Sequence, residues 1–580
     1  MPTTAAESLD FDRLPKYRSR RFVPAEARLT DKEEVVRLYE ALLGRDIRSA
    51  SELEIWLQDR FEMDAAVSQA GEVLYIRMTC QTDDAKRSGD YKDFVENILP
   101  SVKQLEHRLN EKYWALKKDW PLDAAKYRVY DRSVETDLAL FREENIPLLT
   151  KVQLLSQDYQ TVCGAMTVPW DGKDLTMPQV GRFLMDPDRP TRERAWKGMA
   201  HRRLDDRDKL DKLFDEMLAL RHTVALNAGF KNFIEYQFKS YHRFDYSSRE
   251  CRQYHEAVAA LVVPLCAKIM ERRRRLMRLP HLRPWDVHVD PLGRPALKPF
   301  IEVRDLITGL KKIFNRLDPQ LGGQFDAMAK MGLLDLDSRK GKAPGGYQNT
   351  MAEARLPFIF MNAVGVDQDV RTLLHEGGHA FHAFACAPQD IRDYRHAPME
   401  FCEVASMSME LIGGEYLDVF YGPEEWERSK IDHLEDVIQV LAWVANIDAF
   451  QHWIYEVPQH AVQERSQAWL GFYNRFGGQL MEWKGLEMYQ ESLWHRQLHI
   501  FEVPFYYIEY GIAQLGALQL WLNAKKDLGG TVAKYKEALA LGGSRPLPEL
   551  FEAAGLKFDF SARTIAPLIA AVQEELGLTE

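Results

Sequence analysis

The strongest chemical signal in the chain is His375-Glu376-Gly377-Gly378-His379. On an α-helix, positions i and i+4 share a face about one turn apart. His375 and His379 can therefore offer two imidazole nitrogens to a single metal ion. Glu376, beside the first histidine, can reach a water at that ion. Zinc suits the set, because a catalytic zinc takes two such nitrogens, a further protein ligand and an open position. The pattern is that of a zinc hydrolase with the glutamate as general base. The same residues could be a solvated helix face, and the flanking segment argues against it. Asp367 reads as an N-cap and Ala387-Pro388 as a stop. Val370, Leu373, Leu374, Phe381 and Phe384 give the segment a face to pack, so a helix is predicted over 367–386. Two adjacent glycines cost a helix about 1 kcal/mol each. That cost makes sense where a second backbone or a substrate must come close.

A third ligand is required. The next predicted helix, over 398–412 and opened by Pro398, carries Glu400, Glu403 and Glu410. Glu403 lies 24 residues past His379 (403 − 379), enough for a turn and a second helix packed on the first. Ala405 and Ser406 beside it permit close approach. Glu400 sits in the first turn, where the helix dipole favours a carboxylate without any metal. Glu410 lies two turns from Glu403. Glu403 is the preferred ligand, with Glu400 or another carboxylate left to orient a ligand histidine. His382 is a turn beyond the metal-binding face and reads as a supporting histidine.

Further on, His499 through Tyr510 gathers His499, Tyr506, Tyr507 and Tyr510. These are neutral donors of the kind that stabilise a negative oxygen in a transition state. Tyr507 and Tyr510, three apart, share a helical face. Alone, the stretch would read as an aromatic core stripe; behind a metal motif it reads as part of the site. Before the motif, Leu356–Asn362 is a short apolar run and a predicted strand. As an edge strand it could hold an extended peptide by main-chain hydrogen bonds, with Phe360 and Asn362 at the substrate.

Around these segments the chain reads as helix after helix. Periodic apolar residues mark 31–43, 51–61, 90–116, 134–142, 177–185, 191–200, 205–228, 247–279, 302–315 and 424–453. A strand and turn are expected at 163–172, and a hairpin or irregular segment at 331–352. Residues 1–160 read as a helical scaffold without chemistry and 161–580 as the catalytic region, including the Tyr-rich segment 499–514. Arg272–Arg275 reads as a solvated helix face rather than a nucleic-acid patch. A net charge of −11 and a pI near 5.9 argue against nucleic acid as a partner. Six scattered cysteines without a C-x-x-C fit a reduced, cytoplasmic setting. Neither a signal peptide nor a membrane span is expected. The sequence does not give an oligomeric state.

His375-Glu-Gly-Gly-His-Ala-Phe-His382, then Glu403-Val-Ala-Ser406, then His499 through Pro504-Phe-Tyr-Tyr-Ile-Glu-Tyr510 resemble the M3 family of zinc metallopeptidases, thimet oligopeptidase and oligoendopeptidase F. The oligoendopeptidase F branch is the nearer likeness. Thr167-Val-Pro-Trp-Asp-Gly172, Asp186-Pro-Asp-Arg189 and Arg192 to Trp196 also resemble it. The likeness spans roughly residues 160–520. It implies a mainly α, two-lobed helical metallopeptidase enclosing a deep channel, with a small β-sheet beside the zinc helix. It implies one Zn2+ held by His375, His379 and Glu403, with Glu376 as base. His499 and the tyrosines, Tyr507 and Tyr510 foremost, would act at the substrate carbonyl, with Tyr506 binding substrate. The paired Gly377-Gly378 departs from the family's commoner single glycine without touching a ligand.

The activity so implied is zinc-dependent cleavage of internal bonds in oligopeptides. Two alternatives stand beside it. A metallocarboxypeptidase or dipeptidase would need a basic group for the substrate's terminal carboxylate. A catalytically silent peptide-binding protein would have no use for Glu376.

Overall fold

A computed structural model of the chain describes Phe11 and residues 14–579. Part of the N-terminal scaffold expected over 1–160 therefore lies outside the described residues. Among the described residues helices dominate, as expected, with five short strands: β1 Thr167–Trp170, β2 Lys173–Thr176, β3 Leu334–Asp337, β4 Tyr347–Met351 and β5 Leu356–Ala363. Among the described residues, no helix is long and apolar enough to cross a membrane. All six cysteines are free thiols.

The chain forms two compact units. One contains the described residues up to Leu138, with Leu297–Lys430 and Gly516–Phe558; the other contains Ala139–Ala296, Ile431–Leu515 and the described residues from Asp559 onward. The expected partition into 1–160 and 161–580 does not follow these units, because packing joins segments far apart in sequence.

In the first unit, helices Lys32–Gly44, Ala50–Cys80 and Leu99–Asp119 bury Leu38, Leu42, Trp56, Leu57, Leu109 and Tyr113 in a shared core. Asp31 caps the first of these by accepting from Glu33 and Glu34 N–H. The same unit holds a three-stranded sheet in the order β3-β5-β4, with β5 parallel to β3 and antiparallel to β4. This corrects the edge-strand expectation. Leu356–Ala363 is the central strand, so both its hydrogen-bonding edges are occupied. Phe360 is fully buried and stacked on Tyr347. Asn362 donates to the carbonyls of Ala343 and Gly345. Neither residue is placed as a substrate contact.

Against this sheet packs helix Asp367–Cys386, which carries the His-Glu motif. Asp367 does not cap it. Asp369 does, its Oδ2 accepting from the N–H groups of Val364, Gly365 and Val366. Asp367 instead pairs with Arg371 and accepts from Tyr421 and Ser429. These bonds tie the helix start to the opening of helix Pro423–Glu456. Helix Met399–Gly414 packs alongside, in the closest helix pairing of the unit.

The second unit contains the β1-β2 hairpin, whose turn residues Asp171 and Gly172 both have positive φ (50° and 79°). That geometry suits the right-handed twist of a tight hairpin. Arg192, nearly inaccessible, bonds to the carbonyls of Trp285, Asp186 and Pro187 and to Asp286. The helix expected over 247–279 is interrupted. Ser248–Ala257 passes through a π-turn at Val258–Val262 into Val263–Leu276. Pro264 lacks the N–H needed to continue the regular ladder. The arginine run on its last turns is more than a solvated face. Arg272 binds Glu435 and the Leu576 carbonyl, and Arg273 binds the carbonyls of Asp286 and Val289.

Candidate active site

Helix Asp367–Cys386 and helix Met399–Gly414 meet at Gly378. A Cβ there would lie 2.6 Å from the Ala405 carbonyl oxygen and from the Ser406 Cα. Only glycine admits the second backbone this close. At Gly377 a Cβ would meet the Phe314 ring at 2.7 Å. The close crossing brings Glu403 over the histidines. Its Oε2 lies 3.4 Å from His375 Nε2 and 3.7 Å from His379 Nε2. These donor atoms all fall within 4.8 Å of one another. Ser406 Oγ donates to Glu403 Oε2 at 3.0 Å and holds the carboxylate in place. Tyr535 donates to the Ala405 carbonyl at 2.9 Å, fixing the helix that bears Glu403.

His375 Nδ1 lies 2.6 Å from Glu410 Oε1. A carboxylate accepts, so Nδ1 carries a proton, and Nε2 is the nitrogen that faces Glu403 and His379. The orienting carboxylate is therefore Glu410, not Glu400. Glu410 lies seven positions past Glu403 and so on the same helical face, a spacing visible in the sequence.

Burial disfavours charge on His375, yet the hydrogen bonds to Glu403 and Glu410 outweigh it and raise its pKa well above 6.5. Burial drives His379 the other way, down to about 4. Burial likewise pushes the Glu376 carboxyl up to about 7, with Glu403 and Glu410 adding to the rise. The Gln348 N–H of β4 bonds to this carboxyl and moderates the shift. A carboxyl balanced near neutrality is suited to taking and returning a proton. His382 is buried, packed edge-on to Phe401 and held neutral by burial, with His396 and His379 nearby adding to the shift. It supports the helix and does not join the cluster. The side chains of His375 and His379 remain 25% and 19% exposed, so the cluster opens to solvent as a reactive site must.

In the second unit, short helix Leu498–Glu502 leads through Phe505, at φ 66°, into helix Ile508–Lys526. That turn clusters the aromatic rings. His499 packs at 4.7 Å from Tyr507 and 6.1 Å from both Tyr506 and Tyr510. Two residues that sequence reasoning missed set its tautomer. Trp443 Nε1 donates to Gln497 Oε1 at 3.0 Å. The indole can only donate, so the Gln497 amide nitrogen is the group left facing His499 Nδ1, at 2.7 Å. Nδ1 accepts, and Nε2 carries the proton. Burial lowers the His499 pKa to about 4, which keeps it a neutral donor near pH 7. The Tyr507 hydroxyl interacts with the same Gln497 and Trp443 side chains.

The profile of peptidase family M3 matches residues 182–567, most of the chain and all of the clustered residues above. The chain belongs to peptidase family M3. An oligoendopeptidase F homolog of Borreliella burgdorferi is 22% identical over 440 residues, covering 71% of this chain and 70% of that protein. The solved structure of PZ peptidase A with an inhibitor superposes with a TM-score of 0.85 at 26% identity, covering 97% of this chain and 100% of that one. Oligoendopeptidase F from Enterococcus faecium shares the fold at 15% identity and a TM-score of 0.64, covering 95% and 96%. These likenesses place this M3 peptidase nearest the oligoendopeptidase F branch.

The donor set of this M3 peptidase fits the metal that a metallopeptidase needs. Two imidazole nitrogens and one carboxylate oxygen converge, with one imidazole fixed from behind by Glu410. Nitrogen and oxygen donors in this ratio, with exposure left for a further ligand, match catalytic zinc.

Proposed function

We propose that this M3 peptidase is a zinc-dependent endopeptidase of short oligopeptides, with His375, His379 and Glu403 holding Zn2+. The observation that carries the reading is the convergence of these three donors beside Glu376. A zinc ion held there supplies Lewis acidity, polarising the substrate carbonyl and acidifying water. Glu376 takes the proton of the attacking water and returns it to the leaving amine. His499 donates through Nε2–H to the oxygen of the tetrahedral transition state, and Tyr510 is the second donor. Tyr507 and Gln497 hold the His499 ring, and Tyr506 contacts substrate. β4 replaces Leu356–Ala363 as the strand that lies along an extended peptide, because its Gln348 N–H already reaches Glu376. The preference for internal bonds rests on the names of its relatives, oligoendopeptidase F among them. The six scattered free thiols support a cytoplasmic setting.

The test is cleavage of a mixture of short synthetic peptides, with products mapped by mass spectrometry. Internal cuts are expected from the wild type, and none from Glu376→Gln or from chelated protein. Loss of single terminal residues would favour the exopeptidase alternative. Intact peptides from a zinc-loaded wild type would favour a silent binder.

A further inference from the structure

The second unit contains another set of metal-ligating side chains, remote in sequence from the His-Glu motif. Cys251 and His255 stand one turn apart on helix Ser248–Ala257. Asp448 and His452 stand one turn apart on helix Pro423–Glu456. Ligating atoms of Cys251, Asp448 and His452 lie within 4.8 Å of one another, the same convergence shown by His375, His379 and Glu403. Here, however, every member is buried. Cys251 and Asp448 have no exposure, His452 3% and His255 4%.

Two polar atoms in this cluster have no hydrogen-bond partner among the described residues: Asp448 Oδ1 and His452 Nε2. Their surroundings are aromatic, with the buried Arg243 guanidinium also near and its charge matched by Glu509. Phe238 and Phe505 pack edge-on against His452, and Phe476 against His255. Leaving a carboxylate oxygen and an imidazole nitrogen unpaired in such a place is unfavourable. The partnered atoms are arranged as in the environment of a metal ligand. His255 Nε2 lies 2.8 Å from Asp448 Oδ2 and steadies the carboxylate. His452 Nδ1 lies 3.0 Å from the Asp448 carbonyl, which accepts its proton and leaves the other ring nitrogen as a lone pair.

We infer that Cys251, Asp448 and His452 bind a second Zn2+ inside the second unit, with His255 orienting Asp448. Sulfur, nitrogen and oxygen donors together are a zinc set. Charge also balances. The Cys251 thiol gives up its proton on binding, and one thiolate with one carboxylate neutralises the dication. Being closed to solvent, the site fills as the unit folds and contributes to its stability. It takes no part in the peptidase reaction, and the inference stands apart from the proposed function.

The full chain, purified without chelator, tests it by metal analysis and spectroscopy. Wild type should carry two zinc ions per chain. His375→Ala/His379→Ala should retain one. Refolded with Co2+, this double variant should show the near-ultraviolet thiolate-to-cobalt absorption that a His-His-Glu site cannot produce. Adding Cys251→Ser should abolish both the ion and the band. If the Cys251 variant fails to fold, the cobalt spectrum of the double variant decides alone. One zinc in the wild type, with none and no thiolate band in the double variant, would overturn the inference.

Discussion

Glu410 Oε1 stands 2.6 Å from His375 Nδ1 and so determines which nitrogen of that histidine faces Glu403. Replacing Glu410 by Gln keeps the shape and weakens the acceptor. Zinc affinity is expected to fall roughly 10- to 100-fold, the usual cost of losing such a partner. Competition with a fluorescent chelator measures it. Unchanged affinity would assign the orientation of His375 to its packing.

Glu376→Gln should separate binding from chemistry. Glu376 is no ligand, so zinc content should remain that of the wild type, while kcat falls by about 10²- to 10⁴-fold with the loss of the proton carrier. Metal analysis beside steady-state kinetics checks both halves.

The two glycines should not be equivalent. Gly378→Ala drives a methyl group into the Ala405–Ser406 backbone, which cannot rotate away. It should destabilise the chain by about 1–3 kcal/mol and weaken zinc binding, because Glu403 rides on the displaced helix. Gly377→Ala meets only the Phe314 ring and should cost less on both counts. Thermal melts and chelator competition on the two variants make the comparison. Equal effects would mean that the close backbone approach does not set the geometry of Glu403.

Gln497→Glu tests the tautomer of His499. The carboxylate would accept from Nδ1–H and so strip the proton from Nε2. With the oxyanion donor lost, kcat should drop about 10²-fold or more with little change in KM. His499→Ala should add little on top. Additive losses would place Gln497 and His499 in separate roles.

Burial raises the Glu72 pKa from 4.5 to about 7, against bonds from Ser68 and the Ala352 N–H. The folded chain thus holds this proton more tightly than the unfolded chain. Its contribution to stability is present at low pH and is lost as pH rises from about 4.5 through 7. Glu72→Gln has no such proton to lose. Relative to wild type, the variant should gain stability across that window and show a constant difference outside it, as measured by denaturant unfolding at several pH values.

Local spacing determined the His-Glu cluster of this protein in advance. His375 and His379 share a face because a helix repeats every 3.6 residues, and Glu376 must then lie beside them. Glu403 was legible because a second helix with small residues can lie against a pair of glycines. The helical class followed from the same periodicity. Tertiary packing decided everything that depends on distant segments meeting. Only pairing with β3 and β4 made Leu356–Ala363 a central strand, and β register has no signature in a short apolar run. Glu410 was distinguished from Glu400 by the rotation of one helix against another. Trp443 reaches Gln497 across 54 residues, and His255 reaches Asp448 across 193. Chain folding brings such groups together, and no repeat along the sequence records the encounter.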